Sequence, residues 1–391
     1  MRVMIVVTHL LGSGHLARAR MLAEGFVAAG HAVLLASGGA AVPHLAPPPG
    51  VRLLQLPPVA SDGVDFSRLL DADGRPAGPQ LLAARSAALV EGLRGFAPDA
   101  LITELYPFGR RILRAEFGAL LTAAAACDPP PRIFASVRDI LAPPSKPARV
   151  AETEAALAAH YDAVLVHSDP DQLPLEASWP VGPALARHLR YTGFIGAPAP
   201  TAAVEPDPRA VIVSAGGSDV GGPVFEAALG AAALDPRGAE GHWRILVGGG
   251  RAEAECTRLR ALATALPGVA QRVRIEPARP DFRALLLGAG ASVSLCGYNT
   301  ALDLLATGTP GVFIPFDAGG ETEQRTRAAH LARRPQFEML PSAELSAERL
   351  VAAVSRVMAA GRFAPASAGL DGVARSVATV EAMLREPADA G

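Results

Sequence analysis

The residues best suited to chemistry lie between positions 296 and 328, in the stretch CGYNTALDLLATGTPGVFIPFDAGGETEQRTRA. This order is typical of a strand end, a glycine turn, a short helix, a buried strand and a polar loop. Asn299 and Thr300 are expected to cap the helix, whose positive end then faces a phosphate or a sugar. Asp303, one turn further, presents a carboxylate suited to a ribose diol. The stretch indicates a sugar-nucleotide pocket, although an ordinary capped αβ unit with a solvated charge run gives the same pattern.

The apolar run at 311–316, GVFIPF, predicts a central parallel strand in this segment. Ligands of doubly wound sheets bind beyond the carboxyl ends of the strands. The polar side chains that follow the run, Glu321, Glu323 and Gln324, are therefore expected at a ligand.

A second candidate is the loop that joins the first apolar run, RVMIVVT from Arg2, to an amphipathic helix. Gly14 lets the backbone approach a ligand, and His15 lies at the helix start, where the dipole favours the neutral imidazole. A neutral imidazole can accept a proton from an acceptor hydroxyl. The loop lacks a complete Gly-x-Gly-x-x-Gly pattern, which argues against an NAD enzyme. A His15 that only caps the helix or lines a domain junction is the structural alternative.

A third loop, SAGGSD at 214–219, follows another apolar run and leads to a helix expected to open near Pro223. Its small residues, Gly216, Gly217 and Ser218, allow consecutive N–H groups to face a diphosphate. The glycines at 248–250 form either a second approach of this kind or a tight turn.

Composition limits the class of protein. The chain has 391 residues, half of them hydrophobic, and a formal charge of −2. This balance fits a globular protein of two domains and argues against a nucleic-acid partner, which needs a clustered basic surface. The N-terminus enters a strand without a signal sequence, so a cytoplasmic location is expected. Cys127, Cys256 and Cys296 are too widely spaced for a disulfide framework or a paired metal motif.

Strand and helix patterns alternate along the chain, which predicts parallel, doubly wound sheets. An N-terminal domain is expected at 1–196, a linker rich in proline and alanine at 197–209, and a C-terminal domain at 210–370. The tail at 371–391 either frays or returns to the N-terminal domain. Two such domains place a cleft between facing sheet edges, where ligands usually bind.

Taken together, the Gly-x-Gly-His loop, the AGGS turn at 215–218, GYNT at 297–300 and the Glu-Gln pair at 323–324 resemble the GT-B glycosyltransferases of family 28. The resemblance covers almost the whole chain. It implies an α/β fold of GT-B type, with two doubly wound Rossmann-like domains facing across a cleft. It also implies an inverting reaction.

The same resemblance implies residue roles. His15 matches the cleft histidine, residues 216–218 match the diphosphate loop, and Asp303 matches the carboxylate on the donor ribose. Asp303 stands where Glu is more common, which shortens its reach by one methylene. The expected donor-binding positions are Gly14, Gly216, Gly217, Ser218, Arg279, Gly297, Asn299, Thr300, Asp303, Glu323 and Gln324. Arg279 is included because its segment lies where such enzymes contact the base.

The stretch PFGRRILRAEF at 107–117 bears on the acceptor. Arg110, Arg111 and Arg114 recur at helical spacing opposite apolar residues, so a helix with one basic face is predicted. Enzymes of family 28 often act on lipid-linked acceptors at the cytoplasmic membrane. The helix is thus a candidate contact for anionic lipid at the inner membrane surface or for an anionic acceptor, and a solvated helix packed on its sheet is the alternative.

Glu104 and Asp139 end two strands of the same domain. Each is expected either to assist His15 in catalysis or to pair with the neighbouring arginines.

The sequence therefore predicts a glycosyltransferase that moves a sugar from a UDP-sugar to an unidentified hydroxyl acceptor, with His15 as the base. No metal or other cofactor is expected, since the Asp-x-Asp pattern at 71–73 lies in a predicted turn. Two alternatives stay open: a nucleotide-sugar hydrolase on the same fold, whose amino-terminal loop is similar, and a non-catalytic nucleotide-sugar-binding protein.

Overall fold

The structure is a computed structural model that describes residues 1–10, 13–62, 65–196, 205–216, 220–317, 322–365 and 369–386. The chain divides into two compact units. The first comprises Met1–Gly196 together with Asp371–Gly391, and the second comprises Ala197–Leu370. No helix in the described ranges is both long and apolar enough to cross a bilayer.

The first unit is built on a seven-stranded parallel sheet in the order β3-β2-β1-β6-β7-β8-β9. A separate antiparallel pair is formed by β4 and β5. In chain order its elements are β1 (Arg2–Val7), α1 (Gly14–Ala28), β2 (Ala32–Ser37), β3 (Val51–Gln55), β4 (Ala60–Asp62), β5 (Asp65–Leu70), α2 (Pro79–Phe96), β6 (Ala100–Glu104), α3 (Arg114–Ala125), β7 (Arg132–Arg138), α4 (Pro147–His160), β8 (Ala163–His167), α5 (Pro183–His188) and β9 (Leu189–Tyr191).

The second unit is built on a six-stranded parallel sheet in the order β12-β11-β10-β13-β14-β15. Its elements are β10 (Asp207–Ser214), α6 (Gly222–Leu234), β11 (His242–Val247), α7 (Ala252–Ala265), β12 (Val273–Pro277), α8 (Phe282–Gly288), β13 (Ala289–Ser294), α9 (Tyr298–Thr307), β14 (Gly311–Phe313), α10 (Glu323–Leu331), β15 (Phe337–Met339) and α11 (Ala347–Ala360).

The last helix, α12 (Gly372–Arg385), belongs to the first unit and packs against α1. The two helices approach closely, since a Cβ on Gly25 would lie 2.1 Å from the side chain of Val373. Val377 and Val380 join the core formed by β1 and α1.

In both sheets the first strand lies in the interior. The next strands are added on one side of it and the later strands on the other, so the strand order reverses beside the first strand. The loops after β1 and β6 therefore diverge from one edge of the first sheet, and those after β10 and β13 diverge from one edge of the second. Such reversal points are where doubly wound sheets bind ligands. The predicted site residues His15, Gly216 and Gly297 all follow strands that flank a reversal point.

The predicted fold of two parallel α/β domains is confirmed, and most predicted strands and helices are present. Two predictions were wrong. The run 311–316 forms only the short β14, fifth of six strands, because Pro315 has no N–H with which to continue the ladder. The helix predicted across 107–117 is interrupted: Arg110 takes the left-handed conformation with φ 57°, which cannot lie within a helix, Arg111–Leu113 form a 3₁₀ turn, and the α-helix begins at Arg114.

Candidate active site

Three side chains at the reversal point of the first sheet form what we call the His15 cluster: His15, Arg18 and Glu104. His15 and Arg18 lie one turn apart on α1, which follows β1. Glu104 is the last residue of the adjacent strand β6. The positions follow from the fold, because a parallel sheet brings the carboxyl ends of neighbouring strands to the same edge.

One carboxylate oxygen holds the cluster together. Oε1 of Glu104 lies 2.7 Å from Nδ1 of His15 and 2.5 Å from Nη2 of Arg18. The side chains of Glu104 and Arg18 are 2% and 4% exposed, whereas that of His15 is 16% exposed. An ionised carboxylate only accepts hydrogen bonds, so Nδ1 of His15 carries a proton and the lone pair is on Nε2.

The charges of the cluster follow from burial and proximity. Burial lowers the pKa of His15 to about 4, against the opposing pull of Glu104. Burial alone would raise the pKa of Glu104, but His15, Arg18 and Arg110 together lower it below its usual range. At neutral pH the cluster therefore contains a neutral imidazole and an ionised, buried carboxylate, the combination that a general base requires.

Two other predicted residues lie near this edge. Arg110 lies in the loop after β6 and has a left-handed backbone conformation. Burial lowers the pKa of its guanidinium, and the negative charge of Glu104 opposes that shift. Among the described residues its buried Nε has no hydrogen-bond partner. Asp139 follows β7, is fully buried, and accepts a hydrogen bond of 2.9 Å from the N–H of Ile140. Strained backbone of the kind seen at Arg110 is concentrated at functional sites.

The second unit presents backbone groups at its own reversal point. Gly216 follows β10 in the left-handed conformation with φ 71°, is exposed, and has open space where a Cβ would be. Only glycine takes this conformation without strain. Gly217 and Ser218, predicted to complete the diphosphate loop, lie outside the described residues, as does Glu321.

The helix α9 begins at the other side of this reversal point. Gly297 is its N-cap, and the first intrahelical bond runs from the N–H of Ala301 to the carbonyl of Gly297 at 3.0 Å. The N–H groups of the first turn therefore have no acceptor within the helix. The prediction that Asn299 and Thr300 cap the helix was wrong, because the extended backbone of Gly297 starts it earlier and places both residues inside the first turn.

Asp303 lies on the next turn of α9 and forms an ion pair with Arg283 of α8. The distance from Arg283 Nε to Asp303 Oδ1 is 2.7 Å, and both side chains are largely buried. Burial raises the pKa of Asp303 to about 6, although Arg283 opposes the shift. Arg283 therefore competes with a ribose for this carboxylate.

The residues at the start of α10 are also engaged by neighbours. Oε1 of Glu323 accepts a hydrogen bond from Arg327 at 2.8 Å, and Arg327 in turn donates to the carbonyl of Cys296 at 2.8 Å. The Oε1 atom of Gln324 accepts the N–H of Phe316 at 3.1 Å, which directs the amide nitrogen of Gln324 away from the strand. The contacts of Arg327 hold Glu323 near Cys296, which lies just before α9, and the contact with Phe316 holds Gln324 at the segment after β14.

Arg279 and Gly14 complete the predicted set. Arg279 donates two hydrogen bonds to Asp281, of 2.7 and 2.6 Å, and lies 3.7 Å from Glu276. Its guanidinium is thus held by the carboxylate of Asp281 in its own loop and by that of Glu276 in β12. Gly14 is the first residue of α1, is exposed, and has open space around its Cα.

Sequence reasoning missed three arginines that contact predicted site residues: Arg18, Arg283 and Arg327. Arg18 and Arg327 could have been found from helical spacing, three residues after His15 and four after Glu323. Arg283 offers no such signal, because its partner Asp303 lies on a different helix.

Among known proteins, the family match covers mainly the second unit of the chain. Residues 215–375 match the glycosyltransferase family 28 C-terminal domain. A UDP-N-acetylglucosamine–N-acetylmuramyl-(pentapeptide) pyrophosphoryl-undecaprenol N-acetylglucosamine transferase of Sorangium cellulosum is 29% identical over 136 residues, which is 33% of each chain. The transferase of the same name from Mesorhizobium japonicum is 27% identical over 124 residues, 32% of this chain and 33% of that protein. The chain thus spans about a third of the length of these relatives.

The crystal structure of Acinetobacter baumannii MurG shares the fold, with a TM-score of 0.64 at 14% identity over 98% of this chain and 100% of that one. The matched domain contains Gly216, Gly297, Asp303 and Gln324, the residues placed around the reversal point of the second sheet. The second unit therefore matches the C-terminal domain of the family 28 glycosyltransferases, and the chain as a whole shares the fold of MurG.

Proposed function

We propose that the chain transfers a sugar from a nucleoside-diphosphate sugar to a hydroxyl acceptor, with inversion at the anomeric carbon and without a metal ion. The observation that supports this most directly is the contact of 2.7 Å between His15 and Glu104. It fixes a neutral imidazole with its lone pair on Nε2, on the side chain that is the most exposed of the His15 cluster.

In the proposed reaction, Nε2 of His15 takes the proton of the acceptor hydroxyl while the acceptor oxygen bonds to the anomeric carbon. The bond from that carbon to the phosphate oxygen breaks, and the nucleoside diphosphate leaves. Glu104 stabilises the imidazolium that forms. The charge that develops on the diphosphate is met by the N–H groups at the start of α9 and beside Gly216, which is why no metal is invoked.

UDP-sugar is the proposed donor. The names of the curated relatives specify UDP-N-acetylglucosamine, and Asp303 offers a carboxylate one turn inside the helix whose start would hold the diphosphate. The ribose would displace or share Arg283 at that carboxylate. Glu323 and Gln324 are proposed to contact hydroxyls of the donor sugar.

The acceptor is proposed to be lipid-linked, because the names of the curated relatives specify a pyrophosphoryl-undecaprenol substrate. The site of the reaction is proposed to be the cytoplasmic face of the membrane. Arg110 supports an acceptor with an anionic group near the reacting hydroxyl. Its buried Nε lacks a partner among the described residues, and a phosphate oxygen would supply one.

A product assay tests the function. The purified protein is incubated with UDP-, dTDP- and GDP-sugars, with and without the pyrophosphoryl-undecaprenol-linked acceptor named above, and the products are identified by mass spectrometry. Nucleotide together with a glycosylated lipid supports the proposal. Nucleotide with free sugar identifies a hydrolase, and saturable binding of a donor without turnover identifies a sensor; either result contradicts transfer.

Replacing Asp303 with alanine is expected to weaken the binding of UDP by about 1–3 kcal/mol, a factor of roughly 5 to 150, because a charged hydrogen bond to the ribose is lost. Isothermal calorimetry with UDP measures this. Since the pKa of Asp303 is raised to about 6, its carboxylate is ionised above that pH, so the deficit should be largest above pH 7 and narrow as pH falls through 6.

The matched control is Asp207→Ala, which removes an aspartate paired with His242 at the opposite edge of the same sheet. Its affinity for UDP should equal that of the wild type. Equal UDP affinity for Asp303→Ala and the wild type, with both folded, would remove the ribose contact from the proposal.

A further inference from the structure

Arg18 is the member of the His15 cluster with no role in the proposed reaction, yet it is almost completely buried and bonded to the same oxygen as the imidazole. We propose that Arg18 is a positioning residue, which keeps Glu104 ionised and keeps the proton of His15 on Nδ1, so that the lone pair of Nε2 faces the acceptor. The inference rests on the proposed function, in which His15 is the base.

Within the His15 cluster, Arg18 attracts the carboxylate of Glu104 and repels positive charge on His15. Nη2 of Arg18 and Nδ1 of His15 both reach Oε1 of Glu104, and they are 3.2 Å from each other. Because both nitrogens donate to the carboxylate, this approach is a contact between two donors that share an acceptor. A guanidinium at that distance opposes a second positive charge on the imidazole and therefore holds His15 neutral.

Without Arg18, His15 would be protonated more readily. The side chain of Glu104 is only 2% exposed, and its other oxygen, Oε2, has no hydrogen-bond partner among the described residues. A carboxylate buried in this way and deprived of its cation would favour a proton on the adjacent His15, whose positive charge would replace that of Arg18. The imidazole would then be charged at higher pH and would lose its capacity to accept the acceptor proton.

The remaining groups around the cluster cannot replace this cation. Arg110, from the loop after β6, also lowers the pKa of both His15 and Glu104 by its charge. Within the described part of the chain, however, it forms no hydrogen bond or ion pair with either, and its backbone is strained. The positive charge of Arg138, on β7, lowers the pKa of Arg110. His9, after β1, and His167, at the end of β8, are both buried, and burial lowers the pKa of each, so they are neutral at pH 7.

The test is NMR of the full chain labelled with ¹⁵N-histidine, using long-range ¹H–¹⁵N correlation to read the tautomer and titration of His15, assigned from the spectrum of His15→Ala. In the wild type we expect the proton on Nδ1 and no protonation above pH 5. In Arg18→Met the midpoint of His15 should rise by about one pH unit or more. The control is Arg20→Met, which removes a charge from the same helix but whose guanidinium bonds the carbonyl of Ala46.

The proposal is overturned if His15 titrates identically in Arg18→Met and the wild type, or if Arg20→Met gives the same rise. Should Arg18→Met fail to fold, the wild type alone decides: an imidazole protonated on Nε2, or titrating near pH 6.5, contradicts the role of Arg18. Arg18→Lys should restore the wild-type tautomer, since it keeps the charge. None of these readouts depends on turnover, so failure of the glycosyltransfer assay would leave them unaffected.

Discussion

His15→Ala is expected to lower turnover about 100-fold or more, the usual contribution of a positioned general base, while leaving the affinity for UDP nearly unchanged. The base belongs to the first unit, whereas the nucleotide is assigned to glycines and a helix start of the second. Donor turnover and UDP calorimetry on the same preparation separate the two effects. His160→Ala, at an exposed helix end of the first unit, is the matched control and should retain full activity.

The pH profile gives the same assignment a second test. A base acts in its deprotonated form, and the pKa of His15 is lowered to about 4, so the active form persists well below the usual range of histidine. With saturating donor, which offsets the weaker binding expected once Asp303 is protonated near pH 6, wild-type turnover should stay level from pH 8 to about pH 5 and decline only near pH 4. A folded His15→Ala enzyme with normal turnover would exclude His15 and direct attention to Glu104 or Asp139 as the base.

The second large effect is expected on stability, at the buried ion pair between Arg85 of α2 and Glu116 of α3. Two hydrogen bonds of 2.8 and 3.0 Å join them, and Arg85 also donates to the carbonyls of Gly38 and Pro57, in the loops after β2 and β3. Arg85→Met leaves the Glu116 carboxylate buried and unpaired, which should cost about 3–5 kcal/mol in the free energy of unfolding.

The measurement exploits the two tryptophans of the chain, one in each unit. In a Trp243→Phe background, the fluorescence of the buried Trp179 reports urea unfolding of the first unit alone. Arg149→Met, which breaks an exposed pair, should change stability by less than about 1 kcal/mol. The double variant Arg85→Met with Glu116→Leu should recover much of the loss; a cost equal to the sum of the single changes would show that the two residues are not coupled.

The course of the strands was predictable because buried parallel strands are continuous apolar runs, and because Gly30 marks the end of α1. His15 and Gly216 could be placed for a related reason: each lies in or just after the loop that follows such a run, so sheet topology alone brings it to the carboxyl edge of its sheet. The predictions that were wrong concerned details within single helices and loops. The N-cap of α9 shifted to Gly297, and Arg110 adopted a conformation that non-glycine residues seldom take.

The partners of the site side chains were less accessible to prediction. An acidic residue at the end of β6 was recognised, but which of its neighbours would share its oxygen depends on side-chain packing that no spacing rule supplies. The same holds for the pair between Asp303 and Arg283, whose helices are adjacent only in the folded sheet. Sequence patterns therefore predicted which residues lie at the carboxyl edges of the sheets. Which charged side chains pair with one another at those edges depends on three-dimensional packing.

The return of α12 to the first unit has a consequence for the order of folding. Because its Val377 and Val380 complete the core around Ile5 and Phe26, and Glu381 bonds His31 at 2.8 Å, the first unit is encoded by two segments separated by the whole second unit. During synthesis from the N-terminus the second unit is therefore available to fold before the first is complete. The apolar face of α1 is covered only after α12 has left the ribosome, so the unit that contains His15 matures last.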